Sequence, residues 1–293
     1  MTHTWLDRIA DFFSDPSLIE VTLNGPEITH FRTAHNDSLG PVVFTDHTSM
    51  MQNLQMYAIG LGLRLDPKFP CSGGILNLNQ LSLRWHFIIP PAAKWTIASF
   101  RRHYFYHIDN LEFKPNEKWH KVQSIFQKRE PLLLCGASGS GKTSLLTKLL
   151  KESSIKERVV IIEDIAELPT YSPYWIHLLG KKPDLEGKYA LSLRSLFQES
   201  LRLAPDRLIV GEMRTQDAGM FFEAVLAGHP GCTATIHSKS SQSLLARISY
   251  LCRDKFMTLQ KSNSSTEGTL IWGVFLDQKT QAIEEICPFF AVS

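Results

Sequence analysis

The feature that most narrows the fold is the octapeptide Gly136-Ala137-Ser138-Gly139-Ser140-Gly141-Lys142-Thr143. It matches the pattern G-x-x-x-x-G-K-[ST] without a gap. That pattern works in one local context: a strand delivers the chain into the loop and a helix carries it out, so that backbone N–H groups and the helix dipole converge on one anion. Both flanks are present. Pro131–Cys135 is a short apolar run that predicts a buried strand, and Lys142–Leu150 carries Leu145, Leu146, Leu149 and Leu150 on one helical side. Glycines let the backbone wrap phosphate oxygens. Lys142 is expected to reach the β- and γ-phosphates of a nucleoside triphosphate, and the Thr143 hydroxyl to ligate Mg2+. A random chain of this length shows the octapeptide roughly 1% of the time, and the flanks lower that further. Ser144 completes the candidate phosphate-binding set of Gly136, Ala137, Ser138, Gly139, Ser140, Gly141, Lys142 and Thr143.

The chain around the loop predicts the rest of the sheet. Val159–Ile162, Leu208–Val210 and Cys232–His237 read as strands. A helix over Ala190–Ala204 stops before Pro205, and a second, from Ala218, ends at Gly228. A third runs through Leu244, Leu245, Ile248 and Leu251, capped by Ser240 or Ser241. The polar stretch Lys261–Gly268 precedes a final hairpin at about 269–287. Such alternation implies an α/β fold with a mainly parallel sheet covered on both faces.

The first third has a different grammar. Leu18–Leu23 and Glu27–Phe31 flank Asn24-Gly25-Pro26, which predicts a hairpin. Met50, Leu54, Tyr57, Ala58 and Leu61 mark a helix that Asp46 or Thr48 could cap, and Leu81–Ile89 and Trp95–Phe100 read as strands around Pro90-Pro91. A polar segment from about 107 to 118, containing Pro115, separates the two patterns. At 293 residues the chain suits two domains. The expected division is an α+β domain over 1–110, a linker over 111–120 and a P-loop domain over 121–293.

Composition removes several function classes. The net charge of +2 argues against a nucleic-acid tail, and no stripe of basic and aromatic residues predicts direct nucleic-acid binding. The five cysteines, at 71, 135, 232, 252 and 287, form no Cys-x-x-Cys pair. A zinc site or disulfide framework is therefore not expected, and a reducing cytosol is. Asp7 and Asp11 stand where a signal peptide would be basic and then apolar. No apolar run approaches the roughly 18 residues that span a bilayer, so any membrane contact is expected to be peripheral or through partners.

Chemistry in a P-loop sheet gathers at the carboxyl ends of strands. Two acidic positions stand there: Glu163 and Asp164 after Val159-Val160-Ile161-Ile162, with Glu167 close behind, and Glu212 after Asp206-Arg207-Leu208-Ile209-Val210-Gly211. An isolated acid of this kind more often caps a strand or pairs on the rim. Behind a phosphate loop, the pair Glu163/Asp164 and Glu212 are candidates for a Mg2+-water ligand or a base orienting the attacking water.

Pro205-Asp206-Arg207-Leu208-Ile209-Val210-Gly211-Glu212-Met213-Arg214, followed by Gly228-His229-Pro230-Gly231-Cys232-Thr233-Ala234-Thr235-Ile236-His237, resembles the ATPases of type II and type IV secretion, type IV pili and tight-adherence pili. The order of phosphate loop, acid box, Walker B strand and histidine box is theirs. The likeness covers about 125–250 closely and extends more weakly to Ile19–Pro26 and to Arg84, Arg101 and Arg102. It implies ATP as nucleotide, a RecA-like P-loop domain, a homo-oligomeric and hexameric ring, hydrolysis that powers export or pilus assembly, and inner-membrane partners that hold a cytoplasmic protein at the membrane. By the same likeness Glu163 activates water, Glu212 serves the Mg2+ site, His229 and His237 lie near the γ-phosphate, and Arg101 or Arg102 reaches the nucleotide. Neighbouring strand residues face opposite ways, so only one of those two arginines can. The sequence departs from the family pattern at Ser238, where alanine is usual, at Ala204, where arginine is frequent, and before Arg84. The family's four-cysteine zinc insert is absent. The plain length looks closest to the type IV secretion or tight-adherence branch. A nucleotide-binding scaffold with little hydrolysis and a nucleic-acid translocase are the competing expectations.

Overall fold

The computed structural model describes residues 4–33, 36–78, 81–103, 116–153, 156–181, 186, 190–213, 218–251, 258–261 and 268–292. The chain forms two units, Met1–Phe105 with Lys181–Ala190, and Tyr106–Gly180 with Leu191–Ser293.

In the first unit, helix α1 (Thr4–Phe12) leads into strands β1 (Leu18–Asn24), β2 (Thr29–Thr33) and β3 (Asp37–Gly40). Helix α2 (His47–Gly60) and strands β4 (Cys71–Leu78), β5 (Leu81–Ile88) and β6 (Ile97–Arg102) follow. The expected Asn-Gly turn joins β1 to β2, with Gly25 at φ 72°. Asp46 caps α2 by accepting from the Ser49 N–H. The strands lie in the antiparallel order β3-β2-β1-β6-β5-β4. One core gathers Trp5, Ile9, Leu23, Leu54, Trp85, Phe87 and Phe100, all buried.

The second unit starts earlier than the expected linker allows. Asn116 accepts from the Trp119 N–H and caps α3 (Glu117–Gln127), so the second half of 111–120 is already helical, while 104–115 lie outside the described residues. Strand β7 (Leu132–Gly136) enters the phosphate loop and α4 (Lys142–Lys151) leaves it. Strands β8 (Val159–Glu163) and β9 (Ile176–Leu179) follow. The helix expected over 190–204 is shorter: α5 (Leu193–Ser200), capped by Ser192, runs into a 3-10 turn at Leu201–Leu203 and stops at Ala204, whose φ is 46°. Then come β10 (Arg207–Val210), α6 (Ala218–Leu226), β11 (Thr233–Ile236), α7 (Ser241–Leu251), β12 (Thr258–Lys261), β13 (Thr269–Leu276) and β14 (Ile283–Val292).

The sheet order is β12-β14-β13-β7-β11-β10-β8-β9. From β13 to β9 every pairing is parallel, and β14 pairs antiparallel with β13 and β12. Both faces are covered, which is why these strands read as unbroken apolar runs. Leu132 and Leu134 pack with α3 and α4, while Leu133 and Cys135 pack on the opposite core with Phe221, Phe222, Leu244 and Ile248. Burying Leu145, Leu146, Leu149 and Leu150 of α4 contributes about 1.5–3 kcal/mol each, and this packing holds the mouth of the phosphate loop against the sheet.

Candidate functional site

Parallel strands carry β7, β11, β10 and β8 to one edge, and each ends in a residue with chemistry. β7 ends at the loop, β11 at His237, β10 at Gly211-Glu212 and β8 at Glu163. The loop needs its glycines: Gly139 and Gly141 have φ of 77° and 89°, a region other residues rarely adopt. A Cβ on Gly136 would collide with the Ser140 side chain.

Lys142 is buried and its ammonium is fully engaged. It donates to Gly136 O at 3.1 Å, to Ala137 O at 2.8 Å and to His237 Nδ1 at 3.3 Å. An ammonium can only donate, so Nδ1 is the acceptor and the imidazole proton resides on Nε2. Nε2 stands 2.7 Å from Glu212 Oε1. Lys142, His237 and Glu212 thus form one relay across three neighbouring strands. Burial holds the Lys142 ammonium below the usual lysine range, and the Glu212 carboxylate offsets part of that effect.

Glu163 belongs to a second constellation. It is 4% exposed, and its Oε2 accepts from His177 Nε2 at 2.5 Å and from the backbone N–H groups of Glu167 and Leu168 at 3.2 and 3.3 Å. Its side chain crosses Gly211, where an added Cβ would stand 2.6 Å from Glu163 Cγ. β8 is three strands from β7, about 14 Å at ordinary strand spacing.

The phosphate loop also has a brace. Asp277 Oδ1 accepts from the N–H groups of Lys279 and Thr280 and from the Thr280 hydroxyl, which shapes the β13–β14 turn. From that turn Gln278 Nε2 donates to Ser138 O at 3.0 Å and Gln281 Nε2 to Gly139 O at 3.3 Å.

Several candidates have other surroundings. His229 precedes β11 and His237 follows it, so four strand residues, about 13 Å, separate them and His229 is not brought to the loop. Its backbone instead serves the turn: its N–H donates to Ala224 O and its carbonyl accepts from the Cys232 thiol. In the first unit Arg102 donates to the carbonyls of Phe13 at 2.6 Å, Asp15 at 2.9 Å and Leu18 at 3.2 Å, which ties α1 to the sheet. Arg101 is exposed and pairs across the ladder with Arg84. Arg214 lies outside the described residues. The motif Pro205-Asp206-Arg207 stands at the other end of β10 from Glu212. There buried Arg207 meets Glu157 at 2.7 Å and donates to Phe126 O at 2.6 Å. Ser238 bonds the Ser243 hydroxyl at 2.6 Å and Ser240 O at 3.1 Å, joining the start of α7 to the end of β11.

The residues fit a triphosphate with Mg2+. The buried Ser140 hydroxyl has no hydrogen-bond partner among the described residues and belongs to the loop itself. Thr143 and Glu212 offer two hard oxygen donors, which suits an ion that keeps waters and substrate phosphates in its shell. Among the described residues no cluster of three or more His, Cys, Asp or Glu could hold a metal, and no helix is long and apolar enough to cross a membrane.

Comparison with known proteins gives three kinds of likeness. The family described as type II/IV secretion system protein matches residues 80–270. A Mycobacterium tuberculosis protein named for conjugal transfer is 31% identical over 218 residues, covering 71% of this chain and 62% of its own. Protein VirB11 of Agrobacterium tumefaciens is 35% identical over 163 residues, covering 56% and 45%. The X-ray structure of the Yersinia pseudotuberculosis ATPase DotB aligns with a TM-score of 0.60 at 14% identity, over 98% of this chain and 78% of that one, a likeness of fold. The chain spans less than two thirds of the length of these two relatives in sequence.

Proposed function

The chain belongs to the type II/IV secretion system protein family, and on that premise we propose that it is an ATP-hydrolysing motor subunit of a bacterial secretion or pilus machine. The observation that carries this reading is the Lys142–His237–Glu212 relay beside the phosphate loop. Lys142 spends all three ammonium protons on Gly136 O, Ala137 O and His237 Nδ1. Drawing it to a β- or γ-phosphate oxygen releases at least one of these contacts. His237 then reports the presence of the γ-phosphate to Glu212, the role of a sensor rather than of a base.

Hydrolysis joins a water oxygen to the γ-phosphorus and breaks its bond to the bridging oxygen, which leaves with ADP. In this reading Glu163 accepts the proton of the attacking water. Thr143 and Glu212 hold Mg2+, directly or through water. When bound, the ion neutralises phosphate charge. The subunits are proposed to act as a hexameric ring. The ring works in the cytoplasm, held at the inner membrane by other components of the machine, without direct contact to nucleic acid.

Steady-state ATP hydrolysis across a range of protein concentrations tests the proposal. Specific activity is expected to rise with concentration as the ring assembles, and to fall at least about 100-fold in Lys142→Ala. An unchanged rate in Lys142→Ala overturns the assignment of hydrolysis to this loop, and measurable ATP binding with negligible hydrolysis by the wild type at every concentration overturns the motor in favour of a nucleotide-binding scaffold.

A further inference from the structure

We propose that His177 is the positioning residue for Glu163, fixing one carboxylate oxygen so that the other is presented to water. The inference rests on the reading of Glu163 as the base. Three donors converge on Oε2: His177 Nε2 at 2.5 Å and the N–H groups of Glu167 and Leu168 at 3.2 and 3.3 Å. Backbone N–H groups can only donate, so Oε2 acts as an acceptor and His177 supplies the third proton from Nε2. Oε1 has no hydrogen-bond partner among the described residues. It lies over Gly211, where a Cβ would come within 2.8 Å, next to the residue that joins the relay.

The division of labour follows from the two oxygens' surroundings. A carboxylate 4% exposed needs its charge compensated. Here the compensation falls on one oxygen, Oε2, which engages all three donors and leaves Oε1 as the oxygen turned to water. The short strand β9 provides this arrangement. It pairs in parallel with β8, setting His177 opposite Ile161, while the loop from 164 to 168 closes over the carboxylate from the other side. Two hydrogen-bonding directions and one imidazole define the orientation of the whole group, so loss of the imidazole frees the carboxylate to rotate about its last bond.

The test uses the full chain and four variants, His177→Ala, His177→Gln, Glu163→Gln and the double variant His177→Ala/Glu163→Gln, with steady-state hydrolysis and titration of a fluorescent ATP analogue on each. His177→Ala is expected to lower kcat roughly 10- to 100-fold and to leave KM and analogue affinity unchanged. His177→Gln, whose amide carries an N–H near the Nε2 position, is expected to recover most of the loss. The double variant is expected to be no slower than Glu163→Gln alone, as for two residues acting through one group. Wild-type kcat in His177→Ala overturns the proposal. So does equal loss of analogue binding in His177→Ala and His177→Gln, which marks a purely structural contact. A wild-type rate in Glu163→Gln removes the reading of Glu163 as base, and His177's role with it. An inactive Glu163→Gln beside a fully active His177→Ala removes only the role of His177.

Discussion

Replacing Gly211 by alanine strikes the packing on which Glu163 depends without touching an ionisable group. A Cβ at this position would stand 2.6 Å from Glu163 Cγ, 2.8 Å from Oε1 and 3.1 Å from Cδ. Carbon atoms attract one another only from about 3.5 Å outward, so the side chain must retreat by roughly 0.9 Å. The N–H groups of Glu167 and Leu168 already span 3.2 and 3.3 Å to Oε2, and a retreat on that scale takes at least one of them beyond bonding range. Two losses are expected. Overpacking costs ~1–3 kcal/mol of stability, with a comparable amount for a buried bond to a charged group. Hydrolysis falls by about 100-fold, the effect of displacing a reacting group by about 1 Å, while nucleotide affinity is unchanged because the phosphate loop keeps its own contacts. A urea unfolding curve, a kcat and a fluorescent-nucleotide titration on one preparation measure all three. Wild-type kcat in Gly211→Ala refutes the argument that the placement of Glu163 limits the reaction. Loss of nucleotide binding in step with kcat refutes the separation of the two constellations.

Arg207→Ala takes one of two guanidinium partners from Glu157, which keeps Arg129 at 3.0 Å, and is expected to cost about 1–3 kcal/mol in urea unfolding; an unchanged unfolding curve contradicts that. Burial pushes the Cys232 thiol up to about 12 and raises Cys135 well above the usual range. Since the thiolate is the nucleophile, both stay protonated and unreactive at pH 8 and gain reactivity only as the pH climbs or the chain unfolds. Alkylation at pH 8 with peptide mass mapping is expected to label exposed Cys71 and to spare Cys232 until denaturant is added. Asn116→Ala removes the cap of α3 and is expected to lower stability by about 1 kcal/mol, read from the urea midpoint. Gln278→Ala with Gln281→Ala is expected to weaken nucleotide binding roughly 3- to 10-fold, with circular dichroism unchanged; equal affinity in the double variant contradicts the bracing role.

What the sequence disclosed depended on how local each signal is. The phosphate loop and the acids after β8 and β10 are legible because eight adjacent residues, or an apolar run and its last residue, carry the whole message. Asp46 and Ser240 are legible as caps for the same reason, the side chain bonding an N–H three residues on. His177 left no such trace. It sits 14 positions from Glu163 on a four-residue strand, and only the parallel pairing of β9 with β8 makes them neighbours. Gln278 and Gln281 are about 140 positions from the loop they touch. Gly211 could have been found, since a glycine directly before a strand-end acid marks a close crossing by a neighbour. The two histidines of one box read alike in sequence, yet a strand stands between them, and the strand's direction decides which one reaches the loop. Arg101 and Arg102 could be separated only as alternatives, because the carbonyls that engage Arg102 come from the end of α1 and the turn after it.

The glutamine brace has a geometric corollary. In a planar trans peptide the C=O and the following N–H point in opposite directions. Pinning the Ser138 carbonyl to the β13–β14 turn therefore aims the Gly139 N–H away from the hairpin. The curvature of the octapeptide is thus written partly in residues 277–282, as a pegged string takes its shape from the peg. Two chains with identical loop octapeptides but different turns here would present differently angled donors to the same phosphate.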